Sequence, residues 1–308
     1  MSKIQIDDDF IQPFQLDNEV ARGRFIRLGK VVQDVIAGHG YPDPVSSMLA
    51  ELLSLTALIS GIFKFDGIFS LQAKGDGPIS LLMSDITSTG ELRGFAKFDE
   101  IVVAEIQDNW DENPVPTILG EGYLAFTLDQ GVETVRHQGI VELKGKTLAQ
   151  CAHNYFRQSD QFPGSVKLAS GKDKNGKWIS GGFVLQKLPQ KGLVPQSGEA
   201  VDSEFEESWT RAIALMDSCR NFEILDKNLH AHKLLYSLFH QDGIRVFDKI
   251  PVRMHCRCSQ KRVEDMLRSF PKSEIESLKV NNDVIVTCEF CGKTYRFTEK
   301  DVELIYTG

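Results

Sequence analysis

The sequence has no surplus of positive charge. Its 308 residues carry 35 Lys and Arg against 43 Asp and Glu, a net charge of -8 with His neutral. Such a chain has no global positive field with which to hold DNA or an anionic membrane. It also lacks a long apolar run. The longest, Met48 to Phe63, is sixteen residues and includes Glu51, whereas a membrane span needs about 20. The start, Met1-Ser2-Lys3-Ile4-Gln5-Ile6-Asp7-Asp8-Asp9, is not a basic segment followed by an apolar one, which argues against a signal peptide and for a cytoplasmic protein. No His-Glu-x-x-His and no Gly-x-Ser-x-Gly occurs. Gly139 to Thr147 imitates a phosphate loop but has five residues between its glycines where the motif has four. Cys151 and His153 are two apart on an expected helix and face different ways. No catalytic constellation emerges.

Cysteine is scarce in most of the chain. Of six, four (Cys256, Cys258, Cys288 and Cys291) fall in the last 53 residues. Cys151 and Cys219 read as core cysteines, the usual fate of a free thiol. In a reducing compartment the terminal cluster points to metal binding or redox chemistry rather than to a structural disulfide.

What is present is an ordinary globular composition, 42% hydrophobic and 25% charged, long enough for about two domains. The first 190 residues alternate strand and helix signals. Strands are expected at Ala21 to Leu28, Gly67 to Lys74, Pro78 to Ile86, Glu91 to Lys97, Ile118 to Leu128, Thr134 to Leu143, Ser165 to Ala169 and Trp178 to Lys187. Glycine-bearing turns separate many of them. Val31, Val32, Val35 and Ile36 have helical spacing. Asp43-Pro44 reads as a cap and first turn for a helix through Ile59, and Thr147 opens another through Tyr155. The expected fold is α+β, a mostly antiparallel sheet domain with helices, over residues 1–190.

Pro189 to Gly198 is rich in Pro, Gly and Gln and reads as a boundary. Residues 191–250 form a helical linker. Phe205, Trp209, Ile213 and Met216 share one helix face, with Ser203 and Glu206 at capping-box spacing. A second amphipathic stretch carries Leu225, Leu229, Leu234, Leu235, Leu238 and Phe239. Neither stripe can be buried by its own helix. Ordinary packing is the first reading, and a detachable cover the second.

Residues 251–308 form a small module. Cys256-Arg257-Cys258 and Cys288-Glu289-Phe290-Cys291 together match the four-thiolate tetrahedron that Zn²⁺ takes. The second pair lies between Val284-Ile285-Val286 and Tyr295-Arg296-Phe297, as a zinc knuckle at a hairpin tip does. Val263, Met266, Leu267 and Phe270 are expected on a helix stopped by Pro271, Ser273 and Glu276 cap the next, and Thr298 caps the last. A module of this size needs a staple. A plain structural ribbon competes with a redox site. The single residue between Cys256 and Cys258 favours the latter, because structural sites usually have two to four. Arg253, His255 and Arg257 favour thiolates, the reactive form. Nucleic-acid binding needs a basic surplus, and the module has ten Lys or Arg against nine Asp or Glu.

With these residues in view the chain resembles the redox-regulated heat shock protein 33 chaperones, also called 33 kDa chaperonins. The resemblance runs from about Arg22 to Tyr306. It rests on Cys256-x-Cys258 with Cys288-x-x-Cys291, and on Lys74-Gly75-Asp76-Gly77-Pro78, Gly90-Glu91-Leu92-Arg93-Gly94, Gly122-Tyr123-Leu124, Gln138 to Leu143, Tyr155 to Pro163, and Gly181-Gly182 to Leu188-Pro189. It implies an ATP-independent holdase and not an enzyme, inactive while reduced with one Zn²⁺ per chain. Oxidation then forms Cys256–Cys258 and Cys288–Cys291 disulfides and zinc leaves. The resemblance further implies binding of unfolding client proteins, a homodimer when active, and transfer of clients to ATP-dependent chaperones. Zinc contributes about 10–16 kcal/mol to small thiolate domains, so its loss should unfold the 251–308 module. Freed linker helices would expose Phe205, Trp209, Ile213, Leu225, Leu229 and Leu235 as a client-binding surface. The alternatives are a constitutive zinc-ribbon binding module and a thiol–disulfide oxidoreductase using Cys288 and Cys291.

Overall fold

The computed structural model describes residues 8–106, 110–131, 137–158, 163–189, 203–277 and 279–307. The chain divides into two compact units, Met1–Met254 and His255–Gly308. The first begins with β1 (Phe10–Leu16), β2 (Ala21–Leu28), α1 (Lys30–Ala37) and α2 (Asp43–Ser60). A meander follows, with β3 (Ile68–Gly75), β4 (Ile79–Thr87) and β5 (Glu91–Phe98), then α3 (Glu100–Ala104). Beyond a short π turn at Val115–Leu119 come β6 (Gly122–Asp129), β7 (His137–Glu142), α4 (Leu148–Gln158), β8 (Gly164–Lys172) and β9 (Trp178–Lys187). Helices α5 (Ser203–Ser218), α6 (Asn221–Leu225) and α7 (Ala231–Phe239) are followed by the short strands β10 (Ile244–Val246), β11 (Ile250–Pro251) and β12 (Arg253–Met254).

Two sheets result. In the first, the order is β10-β1-β2-β9-β8, with β11 also on β1. Its pairings are antiparallel. In the second, the order is β12-β5-β4-β3-β6-β7, antiparallel except for β12, which runs parallel to β5. Helix α2 is buried nearly all round, as an all-apolar helix must be. It packs on strands of both sheets.

The first sheet is apolar on both faces, because alternate residues serve different cores. Ile26, Leu28 and Val184 join the core around α2. Phe14, Phe25, Phe183 and Leu185 join a second core with Met216, Ile224, Leu235 and Phe239 of α5, α6 and α7. Phe14 stacks on Phe239 at 5.5 Å between ring centroids. Gly23 makes room for it, since a Cβ there would lie 2.1 Å from the Phe14 ring.

The second unit contains α8 (Gln260–Arg268), α9 (Lys272–Ser277), the hairpin β13 (Val284–Thr287) and β14 (Thr294–Phe297), and α10 (Glu299–Thr307). Its core is Val263, Leu267, Ile275, Val284, Tyr295, Phe297, Val302 and Ile305. The α+β, largely antiparallel expectation holds.

Several local expectations are corrected. Asp43 is the first residue of α2 and not its cap; its carboxylate pairs with Lys172. Ile118 and Leu119 belong to the π turn and not to a strand. Ser273 lies inside α9. Helix α8 ends at Arg268, so Phe270 lies beyond it; Met266 and Phe270 are exposed, and the buried residues of α8 are Val263 and Leu267. Glu206 pairs with Lys187. The boundary expected at Pro189 to Gly198 lies, beyond Pro189 itself, outside the described residues, as do Thr134 and, within the Tyr155 to Pro163 segment, Ser159 and Gln161.

Candidate metal centre

Cys288 and Cys291 sit where β13 turns into β14. The turn closes because the Cys288 amide donates to the Lys293 carbonyl at 2.9 Å and the Gly292 amide to the Cys288 carbonyl at 2.8 Å. Gly292 has φ +69°, a left-handed conformation that glycine adopts without a Cβ penalty. Cys256 and Cys258 lie on the extended segment before α8. Ser259 caps that helix, its hydroxyl accepting from the Arg262 amide at 3.3 Å. Arg262 Nη1 in turn donates to the Arg257 carbonyl at 2.7 Å. Cap and clamp fix the residues on either side of Cys258.

The four sulfurs lie within 4.8 Å of one another. Cys256 Sγ is 3.6 Å from Cys288 Sγ, and Cys258 Sγ is 3.5 Å from Cys291 Sγ. A tetrahedron with metal–sulfur bonds of ~2.3 Å has edges of about 3.8 Å, so the cluster has the dimensions of a four-thiolate metal site. The thiols are half-buried and unbridged. The Cys258 amide hydrogen-bonds to Cys256, and the Lys293 amide to Cys291. Such donors favour the thiolate.

Tyr295 adds a contact the sequence reading did not assign. Its hydroxyl donates to Cys258 Sγ at 3.1 Å. Burial pushes the Cys258 thiol up, but hydrogen bonds from Tyr295 and the other three cysteines outweigh it and bring the pKa to about 7. Burial and neighbouring sulfurs push Cys291 up to about 12. One thiolate therefore forms readily and is shared by its neighbours. In the sequence Tyr295 reads only as a residue of an apolar strand; its polar tip close to a cysteine cluster is the available signal. Arg253 is engaged elsewhere, pairing with Glu91 at 2.7 Å.

The residues expected to bind clients all lie on α5 to α7 or the turn between α6 and α7. Phe205, Trp209, Leu225 and Leu229 pack, partly buried, against the second core of the first unit, and Leu235 is fully buried in it. Ile213 is half-buried and lines a surface depression with Val166 and His153. Cys151 and Cys219 are buried, and desolvation pushes both thiols up to about 11. Among the described residues, no other group of His, Cys, Asp and Glu has metal-site dimensions, and no helix is long and apolar enough to cross a membrane.

Comparison with known proteins agrees with this arrangement. The family model described as Hsp33 protein matches residues 9–298. The 33 kDa chaperonin of Caulobacter vibrioides (strain NA1000 / CB15N) is 36% identical over 293 residues, covering 94% of each chain. That of Escherichia coli (strain K12 / DH10B) is 32% identical over 295 residues, covering 96% of this chain and 94% of the other. The crystal structure of the 33 kDa chaperonin (heat shock protein 33 homolog) from Thermotoga maritima superposes with a TM-score of 0.81 at 20% identity, covering 97% of both chains. It shares the fold.

Proposed function

Since the chain belongs to the Hsp33 family of chaperones, we propose that it is a redox-regulated, ATP-independent holdase for unfolding proteins. The observation that carries this reading is the cluster of four half-buried thiols in one small unit. Four sulfurs at these separations suit one Zn²⁺ per chain, which when bound would hold them as thiolates and staple the unit. A core of eight buried apolar residues is slight for a unit this size, and domains below ~70 residues commonly need such a staple.

Oxidation by peroxide then acts as the signal. A thiolate attacks the peroxide oxygen, the O–O bond breaks, and the sulfur becomes a sulfenic acid as hydroxide leaves. A second thiolate displaces hydroxide from that sulfur, closing a disulfide; each disulfide delivers two electrons to one peroxide. Two disulfides, Cys256–Cys258 and Cys288–Cys291, use up the four donors, so the ion is released. The three working parts on this reading are an N-terminal client-binding and dimerisation domain (1–190), an amphipathic linker (191–250) and a redox-switch domain (251–308). Unfolding of the switch domain frees the linker helices, and Phe205, Trp209, Ile213, Leu225, Leu229 and Leu235 become available to clients. The protein works in the cytoplasm, dimerises when active, passes clients to ATP-dependent chaperones and catalyses no reaction of its own.

The test follows metal and client together. Reduced protein is treated with peroxide at heat-shock temperature while a chromogenic chelator reports zinc and light scattering reports aggregation of a thermally unfolding client. About one zinc per chain released, followed by protection that a reductant reverses, is expected. Retention of the metal, or its release without protection, would make the cysteine unit a purely structural staple.

A further inference from the structure

Residue Arg27 of β2 is completely buried. It lies on the sheet face that α6 covers, with its guanidinium 5.1 Å from the Phe25 ring. From there it reaches the backbone of the covering helices. Arg27 Nε donates to the Ile224 carbonyl at 2.7 Å, Nη1 to the Leu229 carbonyl at 2.8 Å and Nη2 to the Glu223 carbonyl at 3.3 Å. Glu223 and Ile224 belong to the end of α6, a five-residue helix, and Leu229 to the turn before α7. The last carbonyls of any helix lack partners within it, and so short a helix does not persist alone in water. Arg27 supplies the missing donors from another element.

The rest of the contact is fitted to the same spot. Gly181 of β9 lets α6 approach: a Cβ there would lie 2.9 Å from Ile224 Cγ2. Lys227, two residues beyond α6, lies 3.5 Å from Asp8 and 3.6 Å from Asp173. The α6–α7 turn is thus held by polar contacts both beneath and around it; the side-chain pairs that tie α5, Lys187 with Glu206 and Arg211 with Asp242, lie at its rim.

We propose that Arg27 is the latch of the linker: its guanidinium holds the α6–α7 turn closed through three backbone carbonyls and sets how readily α5 to α7 leave the sheet. The proposal rests on the reading that these helices detach. A buried guanidinium suits a reversible closure. Packing alone would be served as well by an apolar side chain of similar size, often with equal or greater stability. The guanidinium is held in the closed form by three carbonyls and regains its hydration once the helices lift. The carbonyls it releases regain theirs too, so opening leaves no polar group stranded on either side.

Two measurements test the latch. In the reduced, metal-loaded full chain, hydrogen exchange is compared between wild type, Arg27→Met and Arg27→Lys. Arg27→Met should speed exchange across 203–239 by at least about tenfold, with 68–98 still protected and the metal retained. Arg27→Lys, which can serve one carbonyl at a time, should fall between. Unchanged protection of 203–239 in Arg27→Met, or a rise spread equally over 68–98, overturns the proposal. Should that variant fail to fold, wild type alone decides. Phenylglyoxal should leave Arg27 unmodified in the reduced protein and label it after oxidation, in step with faster exchange at 203–239. Arg27 staying protected while 203–239 exchanges freely refutes the latch. If wild type gains no client protection on oxidation, the holdase reading fails, while the exchange comparison in the reduced protein still decides the latch.

Discussion

Which cysteines pair on oxidation decides whether the terminal unit can come apart. The cluster does not choose, since all four sulfurs lie within 4.8 Å of one another, with Cys256 at 3.6 Å from Cys288 and Cys258 at 3.5 Å from Cys291. Those cross pairs span 32 and 33 residues, and closing a loop of that size restrains the unfolded chain by about 4 kcal/mol. They would keep the hairpin tied to the Cys256 segment. The local pairs, Cys256–Cys258 and Cys288–Cys291, close turns worth roughly 1.5–2 kcal/mol each and tie nothing else together. With either pairing the unit gives up the ~10–16 kcal/mol of a bound zinc. It keeps a core of eight residues, of a kind that rarely supplies more than ~3–5 kcal/mol. Local pairing is therefore expected to leave His255–Gly308 close to unfolding, and cross pairing to restrain it more strongly.

Tryptic mapping of the oxidised protein separates the two cases. Cleavage at Arg253, Arg257 and Lys261 leaves Cys256 and Cys258 on separate short peptides, and cleavage at Lys279 and Lys293 leaves Cys288 and Cys291 on one. Local pairing predicts the two short peptides joined to each other and the long peptide about 2 Da lighter through loss of two hydrogens. Hydrogen exchange on the same sample should show 263–305 unprotected. Conjugates joining either short peptide to the long one, with 263–305 still protected, would refute the reasoning.

Other consequences follow from single features. Removing the metal with a chelator under reducing conditions should abolish exchange protection at 263–305 and leave 10–98 protected, with recovery when zinc is restored; persistence of the hairpin's protection would show that its own core suffices. Leu235→Ala should lower the stability of the first unit by about 2–5 kcal/mol, read from denaturant midpoints, because Leu235 is fully buried; a loss below about 1 kcal/mol would contradict that placement. Cys151 and Cys219, both with pKa values of about 11, should alkylate at pH 8 roughly two-hundredfold more slowly than a free thiol, and mapping of the labelled native protein checks this. Burial pushes the Glu51 carboxyl up to about 7, with the Ser170 hydroxyl only partly opposing it. A carboxyl with a raised folded pKa favours the protonated folded state, so its penalty is absent at pH 4 and grows as pH rises from about 4.5 to 7. Glu51→Gln should accordingly raise the melting temperature at pH 8 and leave it nearly unchanged at pH 4.

The elements with strong periodicity were legible. The meander β3–β4–β5, the hairpin β8–β9 and helices α1, α2 and α4 follow from alternation, turn glycines and helical spacing. The cysteine site was legible as well, since residue type and spacing carry most of what a thiolate site needs. Strand β1 was not, because Pro13 interrupts it. Pro13 has no donor, and only the pairing on either side shows that its carbonyl is used by the Phe247 amide at 3.0 Å. Strands β10 to β12 run two or three residues, too short for any period. Met266 and Phe270 matched the apolar spacing expected of α8, yet Met266 is exposed and the helix ends at Arg268, before Phe270. Arg27 gave no signal: an arginine between Ile26 and Leu28 reads as an edge or solvent position, and its burial follows from helices nearly 200 residues later in the chain.

The apolar stripes of α5 to α7 are half of a larger feature. The sheet face they cover is itself apolar, with Phe10, Phe14, Phe25, Phe183 and Leu185 from three strands buried against them. A sheet with one face for solvent would have alternated apolar and polar residues; β2 and β9 instead bury residues on both sides. The cover therefore completes a core that these strands form only together with α5 to α7. Yet the sheet retains its other face on α2, so loss of the helices removes one of two cores while the first still includes Ile26, Leu28, Val184 and both sheets. The small terminal unit has no such reserve. On the proposed reading this inequality is what the switch would use: the terminal unit would fail first, and the sheets that carry the apolar face would stay folded when it does.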